Sequence, residues 1–135
     1  MNILLDADLL VALVKSDDKN HEKARLIANE IKDCPLFVSP LTIPEAATVL
    51  SHKVSHRAAC YFLREVRKRR YLTLNLTQEL ERQADGIFLK ENRKGASWPD
   101  CLNLACLEIH HLDGIASFDK IYKRHHIVYV EDLID

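Results

Sequence analysis

The sequence predicts an α/β protein: one domain built on a parallel sheet of about five strands, with helices packed around it. Short apolar runs of strand length recur at 2–6, 36–39, 71–75, 114–117 and 127–130. The segments between them carry apolar residues at helical spacing. No two-residue hairpin turn joins consecutive runs, so each strand must return through a crossover, which makes neighbouring strands parallel. A length of 135 residues suits a single domain with a real core, and no internal repeat or linker-like stretch divides it.

The elements follow in order. Residues 2–6 (NILLD) form a compact apolar run that ends in an acid, and 8–14 can open a helix. From 20 to 33, Ala24, Ile27, Ala28 and Ile31 recur at i, i+3, i+4 and i+7, predicting an amphipathic helix. LFVS at 36–39 follows Pro35 as a buried strand, and TIPEAATVLSHKV at 42–54 reads as a helix. Ala59, Phe62, Leu63 and Val66 stripe a helix over 55–70, and YLTLN at 71–75 alternates as a strand. Leu80, Ala84, Ile87 and Phe88 mark a further helix that tolerates Gly86 at some cost. The stretch 98–111 is apolar nearly all round, broken mainly by Asn103 and Glu108, as in a buried helix. GIAS at 114–117 and IVYV at 127–130 complete the strands.

Composition narrows the class. The chain is 47% hydrophobic and 29% charged, with a net charge of −1, so it is not coated in nucleic-acid-binding charge, although a local basic patch is compatible. Cys34, Cys60, Cys101 and Cys106 form no C-x-x-C pair, which argues against a zinc knuckle and for small buried hydrophobes in a reducing compartment. The N-terminal apolar run is too short for a signal peptide and is interrupted by acids, and no stretch approaches the roughly 18 apolar residues of a membrane span. The expectation is a soluble cytoplasmic protein.

The chemistry lies in acids at strand ends. Asp6 closes the first strand, Glu45 sits just beyond the second, Asp100 opens the buried helix, and Asp119 follows a late strand by two residues. In an open parallel sheet these positions share the carboxyl edge, where ligands bind. Two unit charges about 4 Å apart repel by roughly 4 kcal/mol at an effective dielectric of 20, so converging carboxylates protonate or bind cations. All-oxygen donors suit Mg²⁺ or Mn²⁺. Such ions can deprotonate water and neutralise a phosphodiester under attack, the chemistry of a metal-dependent nuclease. Each acid also has an ordinary structural reading. Thr42-x-x-Glu45 and Ser97-x-x-Asp100 match the capping box, and Asp119 can cap KIYKR. Asp6 is hardest to explain that way, because it ends an apolar strand.

The stretches ILLDADLLVALV, SPLTIPEAATVL and DCLNLACLEIHHLDGIASFDKIYK, with the helices between them, resemble the PIN-domain ribonucleases, particularly the VapC-type toxins of bacterial and archaeal toxin–antitoxin pairs. The likeness spans essentially the whole chain. It implies a three-layer fold with a central parallel sheet of about five strands, and a Mg²⁺- or Mn²⁺-dependent endoribonuclease that cuts single-stranded RNA. It casts Asp6, Glu45, Asp100 and Asp119 as catalytic metal ligands or their supporters, with Ser117 hydrogen-bonding into the site. It further implies a small antitoxin partner and a homodimer. Two positions depart from the family. Asp6-Ala7-Asp8 stands where Asp-Thr-Asn or Asp-Thr-Ser is usual, so Asp8 could add a metal contact, alter metal preference or cap the first helix. Phe118 stands where relatives often carry a basic residue.

Three basic clusters could contact RNA phosphate or an acidic partner segment, the one next to Asp119 being best placed to hold RNA. Lys120, Lys123 and Arg124 follow Asp119; Arg64, Arg67 and Lys68 lie opposite the apolar stripe of their helix; Lys90, Arg93 and Lys94 form a third cluster. Each group could equally be a solvated face. His110, His111, His125 and His126 pair as neighbours, and adjacent helical residues point apart, which favours structural or surface roles. Two rival functions fit part of the pattern. A haloacid-dehalogenase-type phosphatase would use Asp6 as nucleophile and Asp8 as acid, but leaves Glu45 without a role. A non-catalytic PIN-like protein would use its apolar stripes to dock a partner helix.

Overall fold

The computed structural model describes residues 1–91, 96–125 and 128–129. Five short strands form one sheet: β1 (Ile3–Leu5), β2 (Leu36–Val38), β3 (Leu72–Thr73), β4 (Gly114–Ala116) and β5 (Val128–Tyr129). Their order across the sheet is β3-β2-β1-β4-β5, and every pairing is parallel. The helices are α1 (Ala7–Val14), α2 (His21–Ile31), α3 (Thr42–Lys53), α4 (His56–Val66), α5 (Gln78–Lys90) and α6 (Trp98–Ile109), with a 3₁₀ helix at Lys120–His125. Among the described residues no helix is long and apolar enough to cross a membrane.

The strand period of two divides the core into two halves. Ile3 and Leu5 face one side with α1, α2, α3 and α4, while Leu4 faces the other with α5 and α6. β4 repeats the pattern, with Ile115 on the Leu4 side and Ala116 on the Ile3 side. Both faces of the central strands are therefore covered, giving three layers and explaining why these strands read as continuous apolar runs.

Several predicted elements shorten. The helix expected over 55–70 ends at Val66, so the charged run 67–70 lies beyond it and leads into β3. The strand expected over 71–75 is only Leu72–Thr73, both exposed at the sheet's edge. Residues 127 and 130 of the last predicted strand lie outside the described residues, as do Arg93, Lys94 and His126. All four cysteines are free thiols; Cys101 and Cys106 are buried as expected, but Cys34 and Cys60 are only half-buried.

The end of α6 explains one histidine. His111 has φ 51°, the left-handed conformation that glycine favours. Its N–H donates to Glu108 O at 3.4 Å and the Leu112 N–H donates to Leu107 O at 3.0 Å, the paired bonds of a Schellman close. Leu107 and Leu112 both join the core beside α6.

Candidate active site

The sheet order places β2 on one side of β1 and β4 on the other, so the chain reverses direction between β1 and β4. Parallel sheets bind ligands beyond the carboxyl ends of strands at such a switch. Asp6 and Ser117 are the first residues beyond β1 and β4, and the Asp6 N–H donates to Ala116 O at 3.1 Å, extending the ladder to that point.

Asp6 is 7% exposed and ends β1 by capping α1. Its Oδ1 accepts from the Ala7 N–H at 2.8 Å and from Asn103 Nδ2 at 3.1 Å; its Oδ2 accepts from Ser117 Oγ at 2.7 Å. Burial pushes the carboxyl up, the Ser117 and Ala7 bonds offset part of that, and the charges of Asp100 and Asp119 push it further. Asp8 is not the cap of α1. From the first turn its Oδ2 lies 3.1 Å from the Phe118 N–H and 3.3 Å from Ser117 Oγ, tying α1 to the segment after β4. Its other oxygen is buried with no hydrogen-bond partner among the described residues. Burial, and then the negative charge of Asp6, raise the Asp8 carboxyl to about 8.

Asp100 sits in the first turn of α6 in the expected capping box. Its Oδ2 accepts from the Ser97 N–H at 3.1 Å, and Ser97 Oγ accepts from the Asp100 N–H at 3.2 Å. Its Oδ1 accepts from the Tyr122 hydroxyl at 3.2 Å. Asp119 does cap KIYKR, which folds as a 3₁₀ helix: Oδ1 accepts from the Ile121 N–H at 3.0 Å, and the Asp119 N–H donates to Ser117 Oγ at 3.0 Å.

Glu45 differs from the others. No box forms with Thr42, because α3 starts at Thr42 itself and has no side-chain cap. Thr42 instead bonds Ser39 Oγ at 3.0 Å. Glu45 is exposed, and its carboxyl is raised by partial burial and by the charges of Asp6 and Asp100. Hydrogen bonds thus link Asp6, Asp8, Asp100 and Asp119, while among the described residues Glu45 is coupled to them through charge. Among the described residues no three His, Cys, Asp or Glu side chains close around a single point as metal ligands would. The donor chemistry nevertheless fits a hard cation: oxygens only, mutually repelling, with one buried Asp8 oxygen unbonded.

Two residues of this network, Asn103 and Tyr122, carried no functional signal in the sequence beyond Asn103's interruption of an apolar helix. Asn103 Nδ2 also donates to the Tyr122 hydroxyl oxygen at 3.0 Å, and both side chains are buried. A lone amide in an otherwise apolar helix demands partners, and that demand was the available clue.

The basic groups separate by position. Lys120, Lys123 and Arg124 are exposed on the 3₁₀ helix beside Asp119. Arg124 pairs with Glu91 at 3.4 Å, and Lys123 lies 4.8 Å over the Tyr129 ring. Arg64, Arg67 and Lys68 lie toward the end of α4 that feeds β3, at the sheet's amino edge rather than among the acids. At that amino edge lies a groove of about 520 Å³, floored by Leu9, Leu13, Ala28, Ile31, Leu36 and Leu72, with Lys32, Asp33, Arg69 and Arg70 at its rim. None of the four acids lines it.

Comparison with known proteins agrees with this architecture. The PIN domain family matches residues 3–127. No curated protein matches. VapC20 of Mycobacterium tuberculosis, a toxin that cleaves the sarcin–ricin loop, superposes with a TM-score of 0.84 at 20% identity, covering 93% of this chain and 96% of that one. VapBC2 of Rickettsia felis, solved bound to a DNA fragment from its promoter, superposes at 0.66 with 14% identity, covering 92% of each chain. With the family matched from the start of β1 to the residue before β5, on a sheet whose switch point carries the acids, the chain belongs to the PIN-domain family.

Proposed function

We propose that the protein is a Mg²⁺- or Mn²⁺-dependent endoribonuclease acting on single-stranded RNA, and the toxin of a toxin–antitoxin pair. The observation that carries this reading is the acid network at the β1–β4 switch point, in which burial pushes the Asp6 and Asp8 carboxyls up, the Asp6 charge adds to the push on Asp8, and the charges of Asp100 and Asp119 add to the push on Asp6. A protein keeps such a cluster at a cost to stability, and a cation relieves it. Asp6, Asp100 and Asp119, with Glu45, would hold the ion; Asp8 and Ser117 support them. When bound, the ion supplies a water activated for attack and neutralises charge on the phosphodiester. The chain's own part is orientation. Ser117 fixes Asp6, the capping box fixes Asp100, and Lys120, Lys123 and Arg124 stand beside Asp119 to hold RNA phosphates.

The decisive assay is cleavage of single-stranded RNA by the purified chain with Mg²⁺ or Mn²⁺. EDTA and Asp100→Asn should each abolish it, and cleavage that persists under either would overturn the mechanism. The phosphatase alternative does not suit a PIN-domain chain.

The amino-edge groove supports an antitoxin partner. An apolar floor under Lys32, Arg69 and Arg70 suits a segment that is apolar on one face and acidic on the other. The same groove is what a non-catalytic, partner-binding PIN protein would use, and the RNA assay separates the two readings. The homodimer is part of this proposal and is checked by light scattering.

A further inference from the structure

We infer that Asn103 and Tyr122 form a positioning relay that sets the separation and orientation of Asp6 and Asp100 for cation binding. The inference rests on the metal-dependent reading of the site. Asp6 and Asp100 come from different elements, one capping α1 and one in the first turn of α6. One continuous chain of hydrogen bonds joins them. Asn103 Nδ2 donates to Asp6 Oδ1 at 3.1 Å and to the Tyr122 oxygen at 3.0 Å, using both amide protons, and the Tyr122 hydroxyl donates its proton to Asp100 Oδ1 at 3.2 Å.

The polarity of this chain is fixed by its chemistry. An amide neither gains nor loses a proton here. The phenol carries a single proton, and because its oxygen accepts from Asn103, that proton is the one that points to Asp100. Each member therefore points a donor at a carboxylate and cannot reverse. Asp6 Oδ1 is filled by two donors, Ala7 N–H and Asn103, which leaves Oδ2, already turned by Ser117, as the oxygen available to a cation. Asp100 is held at both oxygens, by Tyr122 and by the Ser97 N–H, and each oxygen keeps one lone pair. Neither relay residue reaches solvent appreciably: Tyr122 is 0% exposed and Asn103 3%. They act through the carboxylates and are positioning residues. Hydrogen-bond partners of ligating groups typically change metal affinity by about 10–100-fold.

The test is Mn²⁺ titration of the full chain, read by electron paramagnetic resonance, together with thermal melts in divalent-free buffer. Tyr122→Phe removes one hydroxyl and keeps the ring; Asn103→Leu keeps the branched outline and removes both donors. The expected result is about tenfold weaker Mn²⁺ binding for Tyr122→Phe with a melt close to the parent. Asn103→Leu should weaken binding at least as much, and the double variant should be no weaker than Asn103→Leu, because both break one chain. Asp100→Asn serves as the reference. If Asp100→Asn weakens Mn²⁺ binding and Tyr122→Phe binds like the parent, the relay is overturned and the metal reading stands. If Asp100→Asn itself binds Mn²⁺ like the parent, the metal reading falls and the relay with it. Independent, additive losses in the double variant would also overturn the relay.

Discussion

The two edges of the sheet are built on opposite principles. At the carboxyl edge, polar side chains are buried together: Asp6, Ser117, Asn103 and Tyr122 form a bonded network beside Asp8, whose second oxygen finds no partner among the described residues. At the amino edge, apolar side chains line a groove that stays open, with cations at its rim. The first edge loses stability to hold charge, and the second leaves hydrophobic surface uncovered. Neither arrangement is what folding alone favours. On the proposed function, the two edges would serve different chemistries: the carboxyl edge would take a small hard cation and the amino edge an amphipathic chain.

The largest effect that can break this contrast is loss of a carboxylate at the first edge. Asp6→Asn should lower RNA cleavage by about a thousandfold or more, on the order of 4 kcal/mol in the barrier, measured as initial rate under saturating Mg²⁺. The same variant should leave antitoxin binding intact. At the second edge, Ala28→Arg places a cation inside the apolar groove. It should weaken inhibition by the cognate antitoxin at least tenfold, about 1.4 kcal/mol, while basal cleavage is unchanged. If each variant disturbed both properties, the two edges would not be separate sites.

A smaller effect sharpens the cost assigned to the carboxyl edge. With its carboxyl raised to about 8, folded Asp8 keeps a proton that the unfolded chain gives up near pH 4. Its contribution therefore falls as pH rises from about 4 toward 8 and then levels off. In divalent-free buffer, Asp8→Asn should gain on the parent as pH rises, reaching on the order of 2 kcal/mol at pH 8. Its amide oxygen, in the place of Oδ2, can still accept from the Phe118 N–H and Ser117 Oγ. Urea unfolding at pH 5 and pH 8 measures the difference; an equal gain at both would contradict the burial account.

The smallest effects lie away from both edges and serve as controls. Gly86 is inside α5, and nothing lies within 4 Å of where a Cβ would sit, so Gly86→Ala should stabilise by about 0.5–1 kcal/mol. His111→Gly should add about 1 kcal/mol by relieving the left-handed backbone. Both should leave cleavage and antitoxin binding unchanged, measured by chemical denaturation beside the two activity assays.

Much of this was readable in the sequence because it depends on local pattern. Apolar runs such as Ile3–Leu5 and Gly114–Ala116 marked the central strands, and acids following those runs located the carboxyl edge. Ser97-x-x-Asp100 announced a capping box that does form. Thr42-x-x-Glu45 announced one that does not, since Ser39 engages Thr42 and the helix begins a residue early. The same four-residue pattern gave opposite outcomes because the preceding backbone decides whether the first residue lies inside the helix. Asn103 and Tyr122 were illegible for another reason: their meaning lies in contacts between α6 and the segment after β4, which no spacing along the chain encodes. The run 64–70 shows what composition leaves open. Its charges fit RNA phosphate, an acidic partner segment or a solvated face, and only the fold shows that the helix ends at Val66 and that the run leads into β3, away from the acids.

Acids at the switch point that hold a hard cation must place it in contact with their carboxylates. Crystals soaked in Mn²⁺ and measured at the manganese absorption edge test that contact directly. The expected result is anomalous density contacting carboxylate oxygens of Asp6 and Asp100, with Asp119 or Glu45 completing the site. Well-diffracting soaked crystals with no such density there, or with manganese bound only elsewhere on the surface, would contradict it.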